Sequence, residues 1–267
     1  MVQLRNPDRL PRDSRALLAP LFELAAENPE LIGSMAGTFV HAGRRYGIPR
    51  FLLVGPEAEH PPIRLGLFAG IHGDEPAGCV ALVEFLIELL HQPEVALGYD
   101  LVVYPLCNPT GYEDGTRFSR AGVDLNREFW RSSLQPEVRI LEAELRAHRF
   151  DGLITLHADD TCEGIYGYAH GRLLNEELLR PALSACAGIL KRDTRALIDG
   201  FAATESILRD CFPGVLAAPP EQEPKPFDLI FETPALEPIS AQVDAAVAVL
   251  KCVLRQYRGF IAYGQNL

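Results

Sequence analysis

The stretch that decides the fold is IRLGLFAGIHGDEPAGCVALVEFLIELL, residues 63–90. It opens with a short apolar run, Ile63–Ala69, which is typical of a buried strand. From Glu75 to Leu90 the apolar residues recur at helical spacing, so a helix follows the strand directly. His72 is therefore predicted to lie on the turn after the strand, where open α/β sheets bind their ligands.

Strands and helices alternate over most of the remaining chain. Buried strands are predicted at 101–106, 152–156 and 229–231, and helices at 14–26, 136–148, 173–190 and 239–257. Ser14 is the expected N-cap of the first helix. Two runs, 37–41 and 50–54, flank a turn and suggest an antiparallel hairpin. The prediction is a single α/β domain, 1–267, with a mixed β-sheet flanked by helices on both faces, in which residues 1–60 supply a helix and hairpin leading into the sheet.

Two segments are too irregular for core elements. Residues 107–135 read CNPTGYEDGTRFSRAGVDLNREFWRSSLQ, and loops of this length inside compact domains are usually functional. Residues 213–226 contain five prolines. This proline-rich segment is either a surface linker or a loop that faces the substrate, and its position in the chain favours neither.

Composition excludes several classes of protein. Apolar residues make up 48% and charged residues 23%, as in ordinary globular domains. A net charge of −11 disfavours wrapping a nucleic-acid backbone, and Glu84 and Glu88 interrupt the longest apolar stretch, so neither nucleic acid nor a membrane is expected as a partner. With no signal-like start and six cysteines that form no C-x-x-C pair, the expected location is cytoplasmic. The oligomeric state is left open.

Polar residues follow several of the predicted strands at the point where each strand ends. They are His72, Asn108, His157 and Glu232. Because the carboxyl ends of parallel strands meet at one rim, these residues can converge. His72 and Glu75 form an H-x-x-E pair, and two histidines with one carboxylate can hold a zinc ion while leaving a fourth position open. The sequence thus suggests one zinc site.

The same residues lie in motifs that resemble a known family. The motifs occur in the order found in the M14 zinc carboxypeptidases, including their bacterial branch and the succinylglutamate desuccinylase/aspartoacylase group. The resemblance extends from about Leu65 to Glu232. It is carried by IHGDEPAG, NPTGYEDGTRFSRAGVDLNREF, ITLHAD and IFETP.

The resemblance implies a catalytic metal centre. It assigns His72, Glu75 and His157 as ligands of a single Zn²⁺ ion. Glu232 would act as general base toward the attacking water and then as acid toward the leaving amine. Asp124 would orient His72 through the second nitrogen of its ring.

The resemblance also places cations around the substrate. Arg117 would stabilise the oxyanion that forms when water attacks the carbonyl. The chain has Ser119 where the family pattern has asparagine and carries an additional Arg120, which is the alternative candidate for that position. Asn126 and Arg127 would grip a substrate carboxylate, for which the planar guanidinium is well suited.

The function implied is hydrolysis of an amide bond next to a free carboxylate, by a metallocarboxypeptidase acting on a small peptide. Many carboxypeptidases place a tyrosine before the catalytic glutamate, where it closes over the substrate, but this chain has none between Tyr168 and Glu232. An N-acyl amino acid deacylase is therefore an alternative, and a catalytically silent protein that binds zinc and a carboxylate is another. Asp159 and Asp160 could hold a second metal, although a solvated acidic turn is the favoured interpretation.

Overall fold

The structure, a computed structural model, describes residues 12–264, so the beginning of the predicted N-terminal region lies outside the described residues. Helix α1 (Ser14–Glu27) leads into the predicted hairpin, formed by β1 (Leu31–His41) and β2 (Arg44–Val54). Its turn is shorter than expected, only Ala42 and Gly43, and both have positive φ, as tight hairpin turns require.

The prediction that Ser14 caps helix α1 is wrong. The N-cap is Asp13, whose side chain accepts a hydrogen bond from the backbone N–H of Arg15. The Ser14 hydroxyl instead donates to Glu113 at 2.9 Å, so it ties the helix to the long loop. A carboxylate one residue earlier reaches the free N–H groups of the first turn, and this is the usual geometry of capping.

Within residues 12–264 the strands form one mixed sheet. After β1 and β2 come β3 (Ile63–Ala69), β4 (Tyr99–Tyr104), β5 (Gly152–Asp159), β6 (Tyr166–Ala169), β7 (Leu197–Ile198), β8 (Phe201–Thr204), β9 (Ile207–Leu208) and β10 (Phe227–Pro234). The order across the sheet is β1-β2-β4-β3-β5-β10-β6-β9-β8-β7. Strands β4, β3, β5 and β10 are mutually parallel neighbours, whereas β2 and β6 join them antiparallel.

Helices cover both faces, so the predicted fold class is confirmed. After α1 the helices are α2 (Pro76–His91), α3 (Pro109–Asp114), α4 (Pro136–His148), α5 (Arg172–Leu174), a π turn (Asn175–Leu179), α6 (Arg180–Ala185), α7 (Ile239–Gly264), and 3-10 turns at Pro93–Ala96 and Leu125–Arg127. Helices α1, α2, α6 and α7 pack on one face of the sheet, and α4 packs on the other with the loop around Leu125. Among the described helices, none is long and apolar enough to span a membrane.

Two sequence predictions need correction here. The helix expected over 173–190, with a kink or break at Pro181, is interrupted earlier than Pro181, by the π turn, and ends at Ala185. Gly188 lies beyond it at φ +87°, a conformation that a right-handed helix does not contain. Strands β6 to β9 were not predicted, because strands of two to four residues are too short to show a period.

Candidate metal centre and catalytic pocket

The sheet brings the predicted polar residues to the carboxyl ends of its central parallel strands. His72 lies on the turn after β3, and His157 lies near the end of β5. In the register of β5 and β10, Glu232 pairs with His157, so the two side chains share one face of the sheet. Gly73 lets this turn meet helix α3, since a Cβ there would lie 1.9 Å from the backbone of Gly111.

His72, Glu75 and His157 form one buried cluster. Nδ1 of His72 lies 2.5 Å from one carboxylate oxygen of Glu75, and Nδ1 of His157 lies 3.0 Å from the other. One ligand atom from each residue lies within 4.8 Å of those of the other two. Two imidazole nitrogens and a carboxylate that face a common point match the donor set of a catalytic zinc site. The residues present therefore fit a zinc ion.

Asp124 lies on the far side of His72. One of its carboxylate oxygens is 3.3 Å from Nε2 of His72, the ring nitrogen that points away from Glu75. The other oxygen accepts a hydrogen bond from Nε of Arg117 at 3.1 Å. A carboxylate on the second nitrogen fixes the ring orientation and the tautomer of a metal-binding histidine. Asp124 is thus positioned as the sequence predicts, and it also holds Arg117.

Arg117, rather than Arg120, reaches the cluster of His72, Glu75 and His157. Its Nη1 atom lies 3.3 Å from Nδ1 of His72 and 3.7 Å from the Glu75 carboxylate. Arg120 points away, because its guanidinium pairs with Asp114 and its Nη1 hydrogen-bonds the hydroxyl of Tyr46. Within the described residues the ambiguity between the two arginines is therefore resolved geometrically in favour of Arg117.

The charges of the cluster shift its ionisation strongly. Burial lowers the pKa of His72, but the Glu75 charge and the hydrogen bonds to Asp124 and Glu75 outweigh it and raise that pKa to about 9. The pKa of His157 is lowered, chiefly by burial. Burial would raise the pKa of Glu75, yet the two histidines hold it well below its usual range. Glu75 is consequently an ionised carboxylate, the form in which it can bind a cation.

Glu232 faces the cluster from β10 in a half-buried position. Its pKa is raised well above its usual range, first by burial and then by the negative charges of Glu75, Asp159 and Asp199, with Arg117 opposing the shift. A carboxyl group with a raised pKa can both accept and return a proton near neutral pH. Its environment is therefore that of a proton-transfer group.

Asn126 and Arg127 both line the same pocket, but they are held differently. The side-chain oxygen of Asn126 accepts the backbone N–H of Leu216 at 2.8 Å, and its Nδ2 lies 3.5 Å from Nε2 of His157, so both ends of the amide already have protein neighbours. Arg127 is half-buried, and its guanidinium lies 4.2 Å from the ring centre of Phe212. Its position leaves Arg127 as the stronger candidate for a carboxylate contact.

The pocket itself encloses about 430 Å³. Its walls include four residues that no sequence motif predicts as part of the site: Tyr166, Asp199, Phe201 and Phe212. They come from the short strands and the loops that join them, where no local pattern identifies a site. The sequence offered one indirect signal: Phe201 and Phe212 lie between Tyr168 and Glu232, the range in which the tyrosine typical of many carboxypeptidases is missing.

The proline-rich segment 213–226 combines both of its expected roles. Val215 lines the pocket and Leu216 is buried, whereas Glu221 and Glu223 are exposed. Asp159 and Asp160 form no metal cluster among the described residues. Asp159 accepts hydrogen bonds from Thr161 and from the Tyr166 hydroxyl, and Asp160 is exposed, which fits an acidic turn.

The sequence also matches a family of known proteins over part of its length. Residues 61–161 match the family of the succinylglutamate desuccinylase/aspartoacylase catalytic domain. This range includes the cluster of His72, Glu75 and His157 but ends before Glu232. No curated protein matches the chain at a significant level.

Solved structures share the fold over nearly the whole chain. A protein from Shewanella denitrificans OS217, provisionally named a metallopeptidase, is 24% identical, with 95% of this chain and 98% of that chain covered and a TM-score of 0.74. A metallo-carboxypeptidase from Burkholderia cenocepacia is 18% identical, with 94% and 70% covered and a TM-score of 0.70. Carboxypeptidase A from Helicoverpa armigera is 17% identical, with 95% and 74% covered and a TM-score of 0.66.

These comparisons confirm the resemblance read from the sequence. The chain has the fold of the metallo-carboxypeptidases, and the cluster of His72, Glu75 and His157 lies within the segment that matches the succinylglutamate desuccinylase/aspartoacylase domain.

Proposed function

We propose that the protein is a zinc-dependent hydrolase that cleaves an amide bond adjacent to a free carboxylate, most specifically a metallocarboxypeptidase. The observation that carries the proposal is the buried cluster of His72, Glu75 and His157, with Glu232 and Arg117 facing the same pocket. His72, Glu75 and His157 would hold the zinc ion. When bound, zinc would polarise the scissile carbonyl and lower the pKa of water toward about 7.

The protein side chains supply the proton transfers and the charge stabilisation. Glu232 takes a proton from the attacking water as the water oxygen bonds to the carbonyl carbon. The same carboxyl group then gives this proton to the amide nitrogen, so that the carbon–nitrogen bond breaks and an amine leaves. Arg117 stabilises the negative charge that develops on the carbonyl oxygen. The second proton of the water passes from the new carboxylic acid to the amine, so the products at neutral pH are a carboxylate and an ammonium.

Arg127 orients the substrate in this proposal. It is a half-buried cation in a pocket that also contains Phe212 and Asp199. A guanidinium can bind a carboxylate through parallel hydrogen bonds, and this fixes the distance between the substrate's negative end and its scissile bond. Substrates without a free carboxylate should therefore be poor. A cytoplasmic location remains a prediction from the sequence.

A second candidate function is deacylation of N-acyl amino acids. It is favoured by the match of residues 61–161 to the succinylglutamate desuccinylase/aspartoacylase domain. The chemistry at Glu232 and Arg117 is the same in both cases. The two functions differ only in whether a peptide or a small acyl group occupies the side of the scissile bond away from Arg127.

Exchange of Arg117 for lysine should lower kcat by about 10²–10³-fold, because an ammonium on a flexible stem does not reproduce the fixed guanidinium at the oxyanion. The matched control is Arg120→Lys, since Arg120 pairs with Asp114 away from the pocket. Steady-state kinetics on one substrate measures both. An equal loss of kcat in the two variants would show that Arg117 does not stabilise the oxyanion.

The function is tested with a substrate panel on the purified protein. Dipeptides blocked at the amino end, their C-terminal amides, and N-acetyl and N-succinyl amino acids are compared with and without chelator. We expect chelator-sensitive hydrolysis that requires the free carboxylate, and a faster rate on the peptides. Faster hydrolysis of the N-acyl amino acids would establish the deacylase instead. Metal binding with no hydrolysis across the panel would reject both enzymatic functions.

A further inference from the structure

A second cavity of about 160 Å³ adjoins the catalytic pocket, and we call it the lower cavity. The two spaces share the walls formed by Tyr168, Cys211, Val215 and Ile230. The lower cavity also contains Thr155 and Asp228, which the reaction described above does not use. It is far larger than the roughly 10–15 Å³ that a single water requires.

The strand register shows how the lower cavity continues the active site. His157 pairs with Glu232, Thr155 with Ile230, and Leu153 with Asp228. Because residues two apart on a strand point to the same face, these pairs form successive rows on one surface of the sheet. Glu232 lies four positions after Asp228, which corresponds to about 13 Å along the strand.

The lower cavity contains buried polar atoms with no partner in the described part of the chain. They are Oδ1 of Asp228 and Oγ1 of Thr155. A buried carboxylate oxygen without a hydrogen-bond partner is costly, and native proteins rarely keep one without a ligand, an ion or a function. Burial raises the pKa of Asp228 to about 7, which the backbone N–H of Ala218 and the charge of Lys225 offset only in part.

No side chain near the lower cavity neutralises Asp228. Lys225 is exposed, and its ammonium donates to the carbonyl of Pro220. His170 lines the cavity but is exposed, and its Nδ1 lies 3.4 Å from the Tyr168 hydroxyl. Between residues 12 and 264 no arginine, lysine or histidine pairs with the Asp228 carboxylate, so this acceptor is open to a donor supplied by a ligand.

We propose that the lower cavity binds the cationic end of a substrate side chain, an ammonium or a guanidinium, and that Asp228 and Thr155 accept its hydrogen bonds. The inference rests on the proposed function for the position of the scissile bond. It names the substrate class: amide substrates whose carboxylate-bearing residue has a long basic side chain. A charged hydrogen bond of this kind is stronger than a neutral one, so the contact selects for charge.

The proline-rich segment explains why the cation belongs to the residue that carries the carboxylate. Leu216 donates its backbone N–H to Asn126, next to Arg127, and also lines the lower cavity. The carboxylate contact and the lower cavity thus share one wall. A residue held through its carboxylate at Arg127 can extend its side chain past Ile230 toward Asp228. The distance of about 13 Å between the row of Glu232 and the row of Asp228 favours lysine or arginine over shorter diamino acids.

Product binding tests the inference without requiring turnover. Zinc-loaded protein is titrated calorimetrically at pH 8 with L-arginine, L-lysine and L-norleucine, for the wild type, Asp228→Asn and Asp244→Asn. Asp244 is an exposed residue on α7 and controls for the loss of one negative charge. The wild type and Asp244→Asn should bind the basic amino acids about 10- to 100-fold more tightly than norleucine, and Asp228→Asn should lose this preference.

The competing outcomes are distinct. Equal wild-type affinity for arginine and norleucine would overturn the inference even if Asp228→Asn failed to fold, and water would then be the occupant of the cavity. Hydrolysis of peptides ending in arginine and norleucine at equal rates would also overturn it, while the proposed function would stand. Arginine binding that depends on Asp228, without hydrolysis of any substrate, would keep the inference and reject the proposed function.

Discussion

The variant Glu232→Gln should lose about 10²–10⁴-fold in kcat and retain its metal. Glutamine has nearly the shape of glutamate but cannot accept the proton of the attacking water. Glu232 faces the pocket from β10 and makes no contact of its own with the nitrogen atoms of His72 or His157. The loss should therefore appear in the chemical step. Steady-state kinetics and metal content by mass spectrometry measure the two effects separately.

The matched control is Glu237→Gln. Glu237 is exposed in the connection between β10 and α7, and the same substitution there should leave both kcat and metal content at wild-type values. A Glu232→Gln protein with full activity would show that another group moves the proton. If metal were lost together with activity, Glu232 would be needed to assemble the metal site, and its role as general base would be unsupported.

The largest effect on metal binding is expected from His157→Ala. This substitution removes one of the two nitrogen donors from the cluster and leaves Glu75 with a single histidine partner. Loss of a residue that only orients a ligand costs about 10–100-fold in metal affinity, so loss of a ligand should cost more. Activity should fall to the level of the chelated wild-type protein. Zinc titration with a competing chromophoric chelator gives the affinity directly.

The same experiment has a stability readout. A ligand present at 100 times its dissociation constant stabilises the folded state by about 2.7 kcal/mol, which corresponds to roughly 5–10 °C in Tm for a protein of this size. Zinc should therefore raise the Tm of the wild type but not that of His157→Ala. The control is His60→Ala, which replaces an exposed histidine and should respond to zinc like the wild type. An equal increase in all three proteins would place the zinc elsewhere.

Much of the architecture could be predicted because local patterns are strong where segments are long. The run 63–69 was predicted with its exact bounds, and so was helix α4 over residues 136–148. Predictions failed where a single backbone feature ends an element that apolar spacing would continue, as at Gly188. They also failed for β6 to β9, whose few residues carry no period.

The candidate metal cluster was visible in the sequence for a physical reason. His72 follows an apolar strand and His157 lies near the end of another, and the carboxyl ends of neighbouring parallel strands lie at one rim. Glu75 opens the helix after the first strand, three residues beyond His72. The choice between Arg117 and Arg120 was not visible, because only two loop residues separate them and no period applies there. Only the pairing of Arg120 with Asp114 and of Arg117 with Asp124 separates the two.

The sequence by itself thus determined the alternation of strands and helices and the convergence of His72, Glu75, His157 and Glu232, since both follow from apolar periodicity and strand ends. The tertiary structure alone decided which arginine enters the pocket and which residues form its walls. It also decided that Oδ1 of Asp228 has no partner in the described part of the chain, because Asp228 takes its surroundings from β5, β6 and the proline-rich segment. Contacts between segments so distant in the chain are set by packing and strand register, and no local pattern encodes them.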